Sequence, residues 1–152
     1  MSRILATYSA KDVNFTFTHP LTGPIQAAGI AEMGLAQITI RRTVTQSVLQ
    51  VAMDGAVVPS VVPGDQGEIE IQVWQTSDLH QQFMAWYNAI KAARDAGDVT
   101  NWFAGKIMIQ CILDGTQHIL SGVAPAKFGD IPYQEQAQRI TWPLVACDIV
   151  SQ

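Results

Sequence analysis

Three histidines, two cysteines and one close pair of carboxylates are the residues whose types could do chemistry, and their spacing limits what that chemistry is. His19, His80 and His118 lie far apart, none with a Cys or His at ligand spacing, so no metal centre is expected. Glu68 and Glu70 stand two apart in an alternating run. That places both on one strand face, the arrangement of a solvated surface rather than of an acid and a base flanking a substrate. Ser121-Gly122 lacks the flanking glycine of a nucleophile elbow, and the glycines occur singly, so neither acyl transfer nor a phosphate cradle is supported. No catalytic residue, cofactor or metal is expected, and the chain reads as a non-enzyme.

Composition points to contact rather than turnover. Charged residues make up 14% of the 152, against the ~25% of an average soluble domain, while apolar residues make up 48%. Interface cores are depleted in Lys, Glu and Asp, so this balance fits a chain that buries area against other subunits. The length suits one domain, residues 1–152, closing one core. A net charge of −4 with no block of Lys or Arg argues against stable attachment to nucleic acid, though a weakly acidic wall would let DNA slide past. Cys111 and Cys147 both fall in apolar alternating runs and are expected as reduced core thiols. Met1 to Tyr8 lacks a secretory pattern and no apolar run reaches membrane-span length, so synthesis in a cytoplasm is expected.

The elements that must position these residues are mostly strands. Val13, Phe15 and Phe17 alternate with polar neighbours until Pro20, and Gly23-Pro24 reads as loop. Ile38 and Ile40 mark a second strand; Ile69, Ile71 and Val73 mark a third, whose other face carries Glu68, Glu70, Gln72 and Trp74. Ile107 to Leu113 runs into the hairpin signal Asp114-Gly115, with Thr116 to Val123 as its partner. Arg139 to Val150 reads as a long strand interrupted at Pro143. One helix, 78–96, is predicted from Leu79, Phe83, Trp86 and Ile90, with Ser77 as N-cap and Gly97 as stop.

Thr43 to Gln66 is too long for an ordinary connection. Its β-branched content and its Asp54-Gly55 predict an extended hairpin arm, completed by a neighbouring subunit, or else a hairpin within the sheet. Val48, Val51, Met53, Asp54, Gly55, Val57 and Val58 are its candidate contact residues.

Several segments resemble, in order, the tail tube proteins of contractile-tailed bacteriophages. These are Leu5-Ala6-Thr7-Tyr8-Ser9-Ala10-Lys11-Asp12-Val13, Gly29-Ile30-Ala31-Glu32-Met33-Gly34 and Met53-Asp54-Gly55-Ala56-Val57. They continue with Gly67-Glu68-Ile69-Glu70-Ile71-Gln72-Val73, Gln75-Thr76-Ser77 and Trp86-Tyr87-Asn88. At Val73-Trp74-Gln75 the chain departs from the family's more aliphatic and basic pattern, so no role is carried over to Trp74. The resemblance implies a mainly β fold, an antiparallel sandwich or barrel of the tail-tube type with one packed helix and the long arm. It also implies hexameric rings stacked into a tube through which DNA passes in the virion tail. Partners would be the tail sheath, the baseplate or tail initiator, and the terminator. Polar positions of one strand face would line the lumen, with Glu68, Glu70 and Gln72 as candidates.

Two alternatives stay open on sequence. One is the tube of a secretion-system or bacteriocin-like particle. The other is a small β-barrel binding module with a pocket of Trp102, Trp142 and Tyr133.

Overall fold

A computed structural model describes residues 7–27, 34–113, 115–129 and 131–152. Among these residues, ten strands and one helix follow a short 3-10 turn at Ala10–Asp12. The strands are β1 (Val13–His19), β2 (Gly23–Ala27), β3 (Leu35–Arg42), β4 (Ser47–Val51), β5 (Val57–Val61), β6 (Gly67–Trp74), β7 (Gly105–Cys111), β8 (Gln117–Pro125), β9 (Arg139–Ala146) and β10 (Asp148–Ser151). Helix α1 (Asp78–Asp95) separates β6 from β7.

Eight strands form one antiparallel sheet in the order β2-β1-β7-β8-β9-β6-β3, with β10 also on β8. The sheet folds over on itself at β8. Residues 118–121 of that strand pair with β7 on one side and β10 on the other, while Ala124 and Pro125 pair with β9. Relative to β7, β8 carries one extra residue, Gly122, at φ +65°. A bulge of this kind bends a strand and sharpens its twist. Cys147 sits opposite the bend, its N–H donating to Ser121 O (3.0 Å) and Gly122 O (3.3 Å).

Period-two alternation does the rest. Phe15, Phe17, Ile107, Ile109 and Leu120 face inward from one layer, and Ile69, Ile71, Val73, Ile140, Trp142 and Leu144 from the other, all buried. The helix closes the core with Leu79, Phe83, Trp86 and Ile90, each at most 1% exposed. Its start is fixed by Ser77, whose Oγ accepts from His80 N at 3.1 Å, and its end is followed by Gly97 at φ +90°. Burial of four such side chains contributes on the order of 1.5–3 kcal/mol each, which explains why a helix with ordinary propensity holds against a sheet.

Three expectations need correction. Gly23 and Pro24 are not loop: they begin β2, paired with His19 and Thr18. β2 is an edge strand, where a proline's missing donor costs no ladder bond. The break in the last strand lies at Cys147, not Pro143. Pro143 stays within β9 opposite Glu70, and its carbonyl accepts from Ala126 N just past the end of β8, so its nitrogen faces where the neighbouring strand has stopped. Cys147, lastly, is exposed rather than core, because it occupies the corner; Cys111 is half-buried and both thiols are free. Asp114, half of the predicted turn, lies outside the described residues, while Gly115 has φ +73°.

Gly122→Ala should unfold at lower denaturant. Its Cβ would lie 2.8 Å from Cys147 Cβ and Sγ at a left-handed φ, so a loss of about 1–3 kcal/mol is expected in equilibrium urea unfolding.

Candidate assembly surfaces

The three histidines are structural. His19 is buried, Nδ1 accepting from Leu21 N (3.2 Å) and Nε2 donating to Asn101 O (2.8 Å). His80 is buried in the first turn of α1, and its Nδ1 accepts from Trp142 Nε1 at 3.2 Å. Burial holds the His80 imidazolium down, lowering its pKa from the usual value. His118 Nδ1 shares a 2.8 Å hydrogen bond with Ser151 Oγ near the chain end. Among the described residues no three of His, Cys, Asp and Glu converge as a metal set.

Glu68 and Glu70 are tied to a cation that sequence reasoning did not name. Arg41 on β3 donates to both carboxylate oxygens of Glu70, from Nη1 at 3.1 Å and Nη2 at 3.2 Å. Glu68 Oε2 lies 3.9 Å from the same guanidinium. The hydrogen bond and charge of Glu70 raise the Arg41 pKa further above its usual value, so the guanidinium stays charged. The register Arg41↔Glu68 and Thr39↔Glu70 brings them together. The outward alternation of Thr39 and Arg41 was the available signal; the intervening arm hid the pairing.

These side chains lie on the outer face of the β3-β6-β9 layer. Gln37, Thr39 and Arg41 occupy it from β3, Glu68, Glu70, Gln72 and Trp74 from β6, and Arg139, Thr141, Pro143 and Val145 from β9. The Arg139 guanidinium sits 5.0 Å from the centre of the Trp74 ring. Strand β3 pairs only with β6, so its other side is a sheet edge among the described residues.

The segment from Thr43 to Gln66 leaves this layer altogether. β4 and β5 form a separate two-stranded ribbon, with Val51 opposite Val57 and Val48 opposite Ser60. At its tip Ala52 N donates to Ala56 O (2.7 Å), Asp54 Oδ1 accepts from Ala56 N (3.0 Å), and Gly55 takes φ +87°. At its base Thr43 N donates to Gln66 O (3.3 Å) and Gln46 Nε2 to Gly64 O (2.9 Å). Between them apolar side chains stand in water: Leu49 is 70% exposed, Val51 75%, Met53 fully and Val61 85%. Two strands alone are marginal, and a contiguous apolar surface of this kind marks a contact site.

The aromatic pocket of the binding-module reading does not assemble. Trp142 is buried against Phe83, Tyr87, Phe128 and His80, Trp102 lies under Arg94, and Tyr133 is 86% exposed. No described helix is long and apolar enough to cross a membrane. Leu5, Ala6 and the segment Gly29 to Met33, which carried part of the family resemblance, lie outside the described residues.

A family model described as Bacteriophage PhiTE tail tube protein matches residues 5–152. Among solved structures, the chain is similar to one in the 6-fold-symmetrised baseplate of the anti-feeding prophage (AFP), at 15% identity and TM-score 0.58, over 100% of this chain and 97% of that one. It is similar to one in the AFP tube terminating cap, at 12% identity and TM-score 0.55, over 99% and 95%. A third lies in the sheath-tube complex, in the extended state, of an extracellular contractile injection system, PVC, at 10% identity and TM-score 0.54, over 91% and 87%. At these identities the likeness is one of fold. No curated protein sequence matches the chain.

The His80–Trp142 bond predicts acid sensitivity. A folded-state pKa below the unfolded value means the unfolded chain binds the extra proton first. The contribution is therefore complete above about pH 6.5 and lost as pH falls from there through the lowered folded pKa. Thermal melts should show the midpoint dropping across that window, and His80→Gln, which keeps an acceptor for Trp142 without titrating, should flatten the drop.

Proposed function

We propose that this chain, which belongs to the Bacteriophage PhiTE tail tube protein family, is a single tube domain that builds hexameric rings stacked around a lumen through which DNA passes. The observation that carries the proposal is the arm: a two-stranded apolar ribbon, paired to no other strand among the described residues, is a surface awaiting a second copy. A ring needs a heterologous contact, one surface meeting a different one on the next subunit until rotation closes the circle. Val48, Val51, Met53, Asp54, Gly55, Val57 and Val58 make the inter-subunit or inter-ring contact in this scheme. The open edge of β3 supplies a second, since strand pairing there would extend the sheet into the neighbour.

The outer face of β3-β6-β9 then turns to the lumen, with Glu68, Glu70 and Gln72 on it. The opposite side meets a contractile sheath, and an initiator in the baseplate and a terminator bound the stack. The subunit is made in the host cytoplasm and resides in the virion tail. The likeness to injection-system tube and cap proteins favours a second reading, a phage-like particle with the same tube and no DNA cargo.

Negative-stain electron microscopy over a concentration series checks the proposal: rings with a central hole, or stacked tubes, are expected. Uniform monomers at every concentration, with and without a tail initiator, would sink it. Val51→Asp together with Val57→Asp places two like charges opposite each other on the ribbon. Assembly should be lost while the monomer's stability changes by less than about 0.5 kcal/mol, as for surface sites.

A further inference from the structure

Along the β3 side of the sandwich the inner faces of the two layers part. Ile38 and Ile40 stand opposite Ile71 and Ile69 of β6, which are fully buried, yet are themselves only half-buried because no strand follows β3 in the described sheet order. Val13 of β1 and Ile109 of β7 join them in lining a hollow of about 340 Å³, with the exposed Arg42 and Ser151 at its rim. Arg42 Nη2 donates to Ser151 Oγ (3.1 Å) and to Ile149 O (3.4 Å), and no carboxylate among the described residues pairs with it. The hollow that holds Arg139 and Lys127, by contrast, already contains Glu70. An apolar hollow with an unpaired guanidinium at its rim suits a segment that carries an apolar side chain beside a carboxylate.

We propose that this hollow receives the arm tip of a second copy, Met53 entering between the layers and Asp54 meeting Arg42. The proposal rests on the reading that the arm makes the inter-subunit contact, and it names the surface that the arm meets. The two parts are complementary. Met53 is fully exposed in its own subunit, and a flexible thioether fills irregular apolar space. Asp54 is the one charge in the outer part of the arm. Asp65, the other charge of residues 43–66, sits at the base, where its Oδ1 accepts from Gln46 Nε2 (3.2 Å) and its carbonyl from Ile149 N (2.9 Å). Asp54 Oδ1 accepts from Ala56 N within the tip, which leaves Oδ2 to face a partner outside it. Asp54 lies eleven residues beyond Thr43, a reach of up to ~36 Å at ~3.3 Å per residue. A domain of this length has a radius of gyration of about 15 Å, so the tip extends past its own subunit. Each copy then offers one arm and one hollow, a heterologous junction that leaves the second copy's arm free to continue the series.

Sedimentation velocity of the full-length chain over a concentration series reads this contact directly, because one arm in one hollow needs only two copies. The unaltered chain should form dimers and larger species. Asp54→Arg and Arg42→Asp should each weaken association about tenfold or more, since each sets like charges against one another across the junction. Asp54→Arg/Arg42→Asp restores opposite charges and should return to within about threefold of the unaltered chain. Asp54→Arg/Arg139→Asp has the same net charge, with the new carboxylate on the outer face of β9, and should not recover. Met53→Asp should weaken association, while Met53→Leu, which keeps an apolar side chain of similar volume, should not. Matching thermal melts establish that each variant is folded. Unchanged association in Asp54→Arg, a loss that Arg42→Asp fails to reverse, or equal recovery with Arg139→Asp would overturn the proposal. If Val51→Asp/Val57→Asp abolishes association while the Asp54 and Arg42 variants leave it intact, the arm's contact stands and this receiving surface falls. A chain that stays monomeric at every concentration overturns both.

Discussion

Phe83 is where the two layers of the fold meet. Its ring lies 5.9 Å from Phe17 and 6.2 Å from Phe15 in one layer, and 5.8 Å from Trp142 in the other. A side chain that touches both layers fixes how far apart they stand, and truncating such a phenylalanine to alanine costs on the order of 3–5 kcal/mol. The helix must therefore enter on the core side of the sheet. That placement fixes the link from β6 through Gln75, whose N–H donates to Gln138 O (3.0 Å) and whose Nε2 donates to Pro132 O (2.9 Å). The long loop between β8 and β9 is held down by the same residue. With its only described helix spent on the inner side, the β3-β6-β9 layer has no described helix over its outer face, where the β8–β9 loop lies beside Glu70, Thr141 and Pro143.

The bend at β8 sets the second constraint. Gly122 and Cys147 lie against each other where both strands change layers, and the N–H of Cys147 is shared between two carbonyls of β8. A side chain on Gly122 would occupy the space of Cys147. The sandwich is thus closed by one strand that serves both layers, which leaves β2 and β3 as the outer strands of the sheet order. β2 is blunted by Pro24, while β3 has no proline and no lysine.

Much of this was legible in the sequence, for reasons that differ by element. Alternation found β1, β6, β7 and β8 because each buries one face, and spacings of four, three and four found α1 because its stripe packs on a core. β2 was missed because Gly23 and Pro24 read as turn chemistry, and edge pairing relaxes the rule that excludes proline. The corner at Cys147 left no compositional mark: the apolar pattern runs on through it while the chain changes partners. Arg41 escaped as the mate of Glu68 and Glu70 because a pairing across the whole arm depends on register, and register depends on which face is buried.

The low charge fraction and the exposed arm are one fact seen twice. Residues 43–66 carry only Asp54 and Asp65 as charged side chains, in a segment exposed along almost its entire length. A solvated ribbon gains by carrying Lys and Glu on both faces, since these keep exposed strand edges from pairing with other chains. This ribbon instead presents valine, leucine and methionine, and its tip is held by three local hydrogen bonds rather than by the body of the domain. The core does not need it: the buried cluster runs from Val13 to Ile149 without including one residue of β4 or β5. Selection for stability of the isolated subunit gives no reason to keep such a segment apolar. The proposed contact with another copy would, because the same side chains that cost free energy in water would contribute it once a neighbour covered them.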